Sequence, residues 1–243
     1  IEQFLIEQKK NKTLILYPKN EYEDFIDEKI KSIKLKNFEI FKYNTDPRTL
    51  TGEIEKLTNY AQRKKNLEIR KKILKKRDNE KSERELATLD RLYTLGSVDF
   101  DSVIVIDFGN SLKSVLASLV FSDVDDETVT ITTVNQWFDE TLFRGNSVKN
   151  LYFPSIDMKQ FKKYNENYYE TFLLKPDAVT ILSYDALGLI YYVWKKNRGI
   201  KSINDFFIKK KIKGKIGTFE FKDSKVSQEL KMYKTENNKF KEY

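Results

Sequence analysis

Residues 102–119 read SVIVIDFGNSLKSVLASL, and their pattern decides the fold. Ser102–Phe108 is a β-branched run that alternates little between apolar and polar residues. A strand of that kind is covered on both faces, as in a parallel sheet. Gly109-Asn110 turns the chain, with Asn110 as the expected helix N-cap. Leu112, Val115, Leu116, Leu119 and Val120 then recur at i, i+3, i+4, i+7 and i+8, which predicts an amphipathic helix. The stretch is one strand–turn–helix unit, and the question is how often it repeats.

Inside it stands Asp107-Phe108-Gly109, the letters that hold magnesium in a protein kinase. A kinase also needs a glycine-rich loop and a catalytic loop containing His-Arg-Asp. The 243 residues include no histidine and no G-x-G-x-x-G. The match is a turn, not a kinase motif.

The unit repeats in both directions. Upstream, Lys12–Tyr17 (KTLILY) is a short apolar run closed by Pro18, and Glu21–Leu35 carries Phe25, Ile26, Ile30 and Ile33 near helical spacing. Phe38–Tyr43 (FEIFKY) is a second predicted strand, followed by Asp46-Pro47 as a cap and first-turn proline. Downstream, Thr128–Val134 is a fourth strand, and a further β-α-β step ends at Asn150–Phe153. Short β-α-β steps of this kind predict an α/β fold, a doubly wound parallel sheet. After Pro154 the pattern changes: Asp157–Phe172, Asp177–Lys196 and Ile203–Lys210 read as helices, and the tail from Gly214 as a β-hairpin.

The missing residue types exclude chemistry. Without Cys or His there is no disulfide, thiolate nucleophile, zinc-thiolate site or Ser-His-Asp triad. Net charge is +8 and uneven. From Ala61 to Leu86 there are eleven Lys/Arg against five acids, and from Asp101 to Glu140 eight acids against one lysine. The basic run Arg63–Arg84 is expected to be a long helix, or two, showing its charges to solvent. Nucleic-acid or membrane-surface binding through Arg63–Arg77 and Lys209–Lys215 is the alternative. Neither run interleaves aromatics as a single-strand stacking surface would. No apolar run approaches bilayer length.

In open α/β sheets ligands sit at the carboxyl ends of the strands. Three loops occupy such positions: Tyr22 after the first strand, Phe108-Gly109-Asn110 after the third, and Asn135-Gln136-Trp137 after the fourth. They form the expected ligand rim, with no catalytic residue, metal or cofactor. The enzymatic alternative uses Asp107 as a metal ligand or base in phosphoryl transfer.

At these loops the chain resembles the type I periplasmic binding proteins, the branched-chain amino-acid-receptor group, and especially their penicillin-binding-protein activator relatives. The motifs are LILYPKNEYEDF, DSVIVIDFGNSLKSVLASL, TTVNQWFDETL and TILSYDALGLIYYVWKK, followed by FFIKKKIKGKIGTFEFKDSKV and a last strand ending KFKEY. The resemblance implies a non-enzymatic periplasmic domain with a Rossmann-like sheet. It implies a small polar, amino acid-like ligand, or a cell-wall synthase as partner, and no nucleic acid. It also implies that residues 1–155 form a second lobe and that 156–213 are helices belonging in the family to the first lobe. Residues 214–243 then return to the second. The family's opening βαβα segment has no counterpart before Ile1, and a lipid anchor would come from an upstream segment. Tyr22 is followed by Glu23, where transport receptors carry glycine. That departure favours the activator-like relatives over the amino-acid receptor of an ABC uptake system. Tyr184, Leu187, Ile190, Tyr191 and Trp194 crowd one predicted helix, so self-association through Asp177–Lys196 is expected.

Overall fold

A computed structural model describes residues 1–77, 79–143, 148–206, 208, 210–222 and 225–243. The chain divides into two compact units.

The first unit holds residues 1–134, 140–153 and 234–241. In chain order it contains α1 (Glu2–Glu7), β1 (Thr13–Pro18), α2 (Glu23–Ile30), β2 (Phe38–Tyr43), α3 (Pro47–Leu57), α4 (Tyr60–Lys75), α5 (Glu80–Leu89), β3 (Ser102–Val105), α6 (Gly109–Phe121), β4 (Thr130–Thr133) and the first three residues of β5 (Leu151–Ser155). Later in the chain β9 (Lys231–Glu236) and β10 (Lys239–Glu242) join the same sheet. Among the described residues that sheet has seven strands in the order β10-β9-β5-β4-β3-β1-β2. β1 to β5 run parallel, with Ile15 opposite both Ile40 and Ile104, and Ile104 opposite Thr132.

Sequence makes these strands central. β1 and β3 are buried at every residue, so their apolar runs need cover on both sides. On one side Leu14, Leu16, Val103, Val105 and Ile131 meet Leu50 and Ile54 of α3 and Leu112, Val115, Leu116 and Leu119 of α6. On the other, Phe4 of α1 stacks on Tyr152 at 5.3 Å, and α2 meets β1 and β2 through polar contacts. There Asp27 accepts from the buried Tyr17 hydroxyl and from Lys42 Nζ at 2.7 Å, and Glu23 takes the same amine at 2.8 Å. Helices on both faces of a parallel sheet make the fold doubly wound.

Several elements differ from expectation. The third strand stops at Val105 because Asp107 leaves the ladder, and α6 begins at Gly109, so Asn110 lies in its first turn. Phe108 occupies the N-cap position and makes no side-chain cap bond. A 3-10 turn, Glu140–Phe143, is the only described helical element between β4 and β5. The charged stretch forms two helices, and Arg63 is buried instead of solvated. Its guanidinium donates to the carbonyls of Thr58, Ser122 and Asp123 and to Thr94 Oγ1. Thr58 and Ser122 are the C-caps of α3 and α6, where a cation satisfies orphan carbonyls and faces the negative ends of both helix dipoles.

The second unit holds residues 135–139, 154–233 and 242–243. Asp157 caps α7 (Met158–Phe172) by accepting from Lys159 and Gln160 N–H. Asp177 caps α8 (Ala178–Asn197) through Thr180 N–H. Tyr164 and Tyr184 join the two helices edge to face at 5.0 Å. Asp185, buried on α8, accepts from Lys215 N–H at 2.7 Å and Ile216 N–H at 3.0 Å. Those residues lie between β6 (Ile212–Lys213) and β7 (Thr218–Lys222), which form an antiparallel sheet with β8 (Lys225–Gln228). The tail is therefore three strands plus the β9–β10 pair, turned at Asn237-Asn238 with φ of 50° and 56°, as a two-residue hairpin turn requires. Of the expected helix Ile203–Lys210, Ile203–Phe206 is a 3-10 turn; Phe207 and Lys209 lie outside the described residues. On α8, Ile181, Asp185 and Val193 are buried, whereas Leu187, Tyr191 and Trp194 are 66, 60 and 54% exposed. No helix among the described residues is long and apolar enough to cross a membrane.

Candidate functional site

The strand order β2-β1-β3-β4-β5 reverses between β1 and β3. In doubly wound sheets such a switch point opens a crevice at the carboxyl ends of the two strands, because the flanking loops leave in opposite directions.

The loop after β1 is pinned at both ends. Lys19 N–H donates to Tyr43 O at 2.9 Å, and Asn20 Oδ1 accepts from Tyr22 N–H at 2.9 Å. Tyr22 is thereby the N-cap residue of α2, with its side chain 60% exposed. After β3, Ile106 N–H still bonds Leu16 O, and then Asp107 turns inward. Its Oδ1 accepts from Phe108 N–H at 2.7 Å, and its Oδ2 from the buried Tyr43 hydroxyl. Both carboxylate oxygens thus hold the loop in shape. That occupation removes the motive for Asp107 as a metal ligand or base. Gly109 follows at φ 57°, a left-handed conformation that suits glycine. Phe108, 57% exposed, is left on the rim with Gly109 and Asn110 beside it in solvent. Tyr22 and Phe108 are therefore two exposed aromatics at the same carboxyl edge, on adjacent strands.

The loop after β4 belongs to the second unit. Asn135 Oδ1 accepts from Trp137 N–H, and Asp139 N–H donates to Gln136 O at 3.0 Å. Between those bonds Trp137 and Phe138 have φ of 51° and 56°, so two large residues sit in the left-handed region, at a cost of order 1–2 kcal/mol each. Phe138 is buried against Phe161 and Tyr233 at 5.2 and 4.8 Å, which holds the turn. Gln136 is buried; Asn135 and Trp137 are partly exposed. Tyr22 and Phe108 stand at the N-caps of α2 and α6, Gly109 and Asn110 in the first turn of α6, and Asn135, Gln136 and Trp137 in the loop after β4; the first four belong to the first unit and the last three to the second. Tyr43, which sequence reasoning passed over, is the residue that fixes Asp107. Its only signal was an aromatic closing the strand FEIFKY.

The two buried tyrosines make alkaline stability an observable. Burial, then the Asp27 carboxylate, pushes Tyr17 up to about 12. Burial, then Asp107, pushes Tyr43 up as well. An unfolded chain gives up these protons near pH 10 while the folded chain keeps them. The unfolded state then binds fewer protons, so stability falls as pH rises from about 10 towards 12. Urea midpoints across that range should drop in the parent and drop less in Tyr17→Phe and Tyr43→Phe. Equal slopes in parent and variants would contradict this assignment.

No protein-family profile matches the chain, and no curated protein does. Solved structures do. The chain is similar to a putative branched-chain amino acid ABC transporter protein from Rhodospirillum rubrum, at 8% identity and TM-score 0.68, covering 100% of this chain and 63% of that one. It is similar to the branched-chain amino acid transporter substrate-binding protein from Streptococcus pneumoniae in complex with isoleucine, at 14% identity and TM-score 0.56, covering 100% and 63%. An ABC-transporter solute-binding protein from R. palustris in complex with 4-hydroxybenzoate matches at 10% identity and TM-score 0.58, covering 100% and 62%. The fold is that of the type I periplasmic binding proteins. The chain spans less than two thirds of the length of each.

Proposed function

We propose that this chain is a ligand-binding, non-enzymatic part of a type I periplasmic binding protein, working outside the cytoplasm. The observation that carries it is the pair Tyr22 and Phe108, exposed at the switch point between β1 and β3, where this fold holds its ligands. Tyr22, Phe108, Gly109 and Asn110 are the proposed ligand contacts of the first unit. Asn135, Gln136 and Trp137 are proposed ligand contacts on the loop after β4, taken by themselves, with Trp137 set by its left-handed turn. Hydroxyl, amide and aromatic groups without a fixed charge suit a small polar, amino acid-like ligand. The domain reading follows the resemblance: residues 1–155 as one lobe, 156–213 as helices of the other, and 214–243 returning. Glu23, standing where uptake receptors carry glycine, supports the activator-like alternative, in which a segment of a cell-wall synthase takes the site.

Calorimetry with amino acids, aromatic acids and cell-wall fragments tests this. Tyr22→Ala, Phe108→Ala or Trp137→Ala should each weaken binding by about 1–3 kcal/mol. Affinity should be nearly flat from pH 5 to 8, since no histidine titrates there. Undiminished affinity in all three variants would move the site elsewhere.

A further inference from the structure

The basic hairpin α4–α5 plays no part in the ligand rim. Its inner side is complete. Leu67, Leu74 and Leu89 form a small core with Leu86 and Leu95, Arg70 pairs with Glu85 at 2.8 Å, and Lys71 with Asp90 at 2.9 Å. Arg63 fixes its base to the C-caps of α3 and α6.

The outer side is different. At 100° per residue, Lys65, Ile69, Lys72, Ile73 and Lys76 fall within an arc of about 100° opposite Leu67. All five are exposed, with Ile69 at 45% and Ile73 at 41%. Lys64 and Lys75 lie to one side of this arc with the exposed Glu68 between, and no ion pair among the described residues engages any of these lysines. Three cations thus surround two branched aliphatic side chains on a convex helix face.

We propose that this face docks on a membrane surface containing anionic lipid. Lysine ammoniums are point charges that need no fixed acceptor geometry, which suits a fluid headgroup layer. The isoleucines are placed to enter the boundary between headgroups and acyl chains. A convex face offers no groove for an acidic peptide. It also lacks the aromatics that stack nucleic-acid bases.

Sedimentation of the full chain with phosphatidylcholine vesicles, with and without one third phosphatidylglycerol, is the test. Binding is expected only to the anionic vesicles and only at low salt. Lysines near such a surface contribute about fivefold each, so Lys65→Glu/Lys72→Glu/Lys76→Glu should cut partitioning about a hundredfold or more. Ile69→Ser should reduce it several-fold without changing the salt dependence. Folding of each variant is checked by its circular dichroism and urea midpoint; if the triple variant fails, Lys72→Glu alone must still lose about fivefold. Absence of binding to anionic vesicles, equal binding to neutral ones, or unchanged binding by the lysine variants would each overturn the proposal. Retention of the parent on duplex DNA without vesicle binding would also overturn it and assign the face to phosphate backbones.

Discussion

Arg63→Ala is expected to lower the unfolding free energy by about 3 kcal/mol, the scale set by stranding several partners of a buried charged donor. The arginine is 5% exposed and joins three backbone carbonyls and one hydroxyl from three separate stretches of chain. Its loss leaves the carbonyls of Thr58, Ser122 and Asp123 short of donors, the first two in buried surroundings. Thr94 keeps its bond to the Asp123 carboxylate, so that half-buried carboxylate loses its neighbouring cation. Arg63→Lys should recover part of the stability, because one ammonium reaches fewer of these groups than the planar guanidinium does. Urea unfolding should show a lower midpoint with an unchanged slope. A loss under about 0.5 kcal/mol, the ordinary range of a surface substitution, would show the contacts to be dispensable.

The second large effect is expected in self-association. Leu187, Tyr191 and Trp194 lie on one side of α8, opposite Ile181, Asp185 and Val193, and Tyr191 stacks on Trp194 at 6.2 Å. Soluble monomers rarely leave a contiguous apolar face of that kind open. Light scattering on the purified chain should give a mass that rises with concentration. Leu187→Lys/Tyr191→Lys/Trp194→Lys should return it to one chain's mass without altering helix content. A parent that stays monomeric at every concentration would refute the expectation.

The parallel sheet was legible because its strands are short, β-branched and free of alternation, and because helical-period segments separate them. The exposed apolar face of α8 was legible for a related reason: no two-sided pattern can hide so many large residues. Arg63 was not legible. On a helix bearing seven Lys or Arg between Tyr60 and Lys75, nothing local marks the one whose carbonyl partners lie near residues 58 and 122. The end of β3 was misjudged because Asp107-Phe108 continues the apolar rhythm, while a hydroxyl from β2 draws the aspartate out of the ladder. Tyr22 and Phe108 could be placed at strand ends from sequence. The left-handed turn at Trp137-Phe138 could not, since it depends on Phe138 finding Phe161 and Tyr233 far along the chain.

The place of β9 in the sheet bears on how the molecule is made. It lies beside β5, and Thr235 secures it by accepting from Leu151 N–H and donating to Lys149 O. As the polypeptide emerges from a ribosome, β5 therefore waits as an open edge through the synthesis of residues 156–230. A bare edge is a template for pairing with other chains. During that interval the chain is exposed to misassembly, and the arrival of β9 and β10 closes the gap.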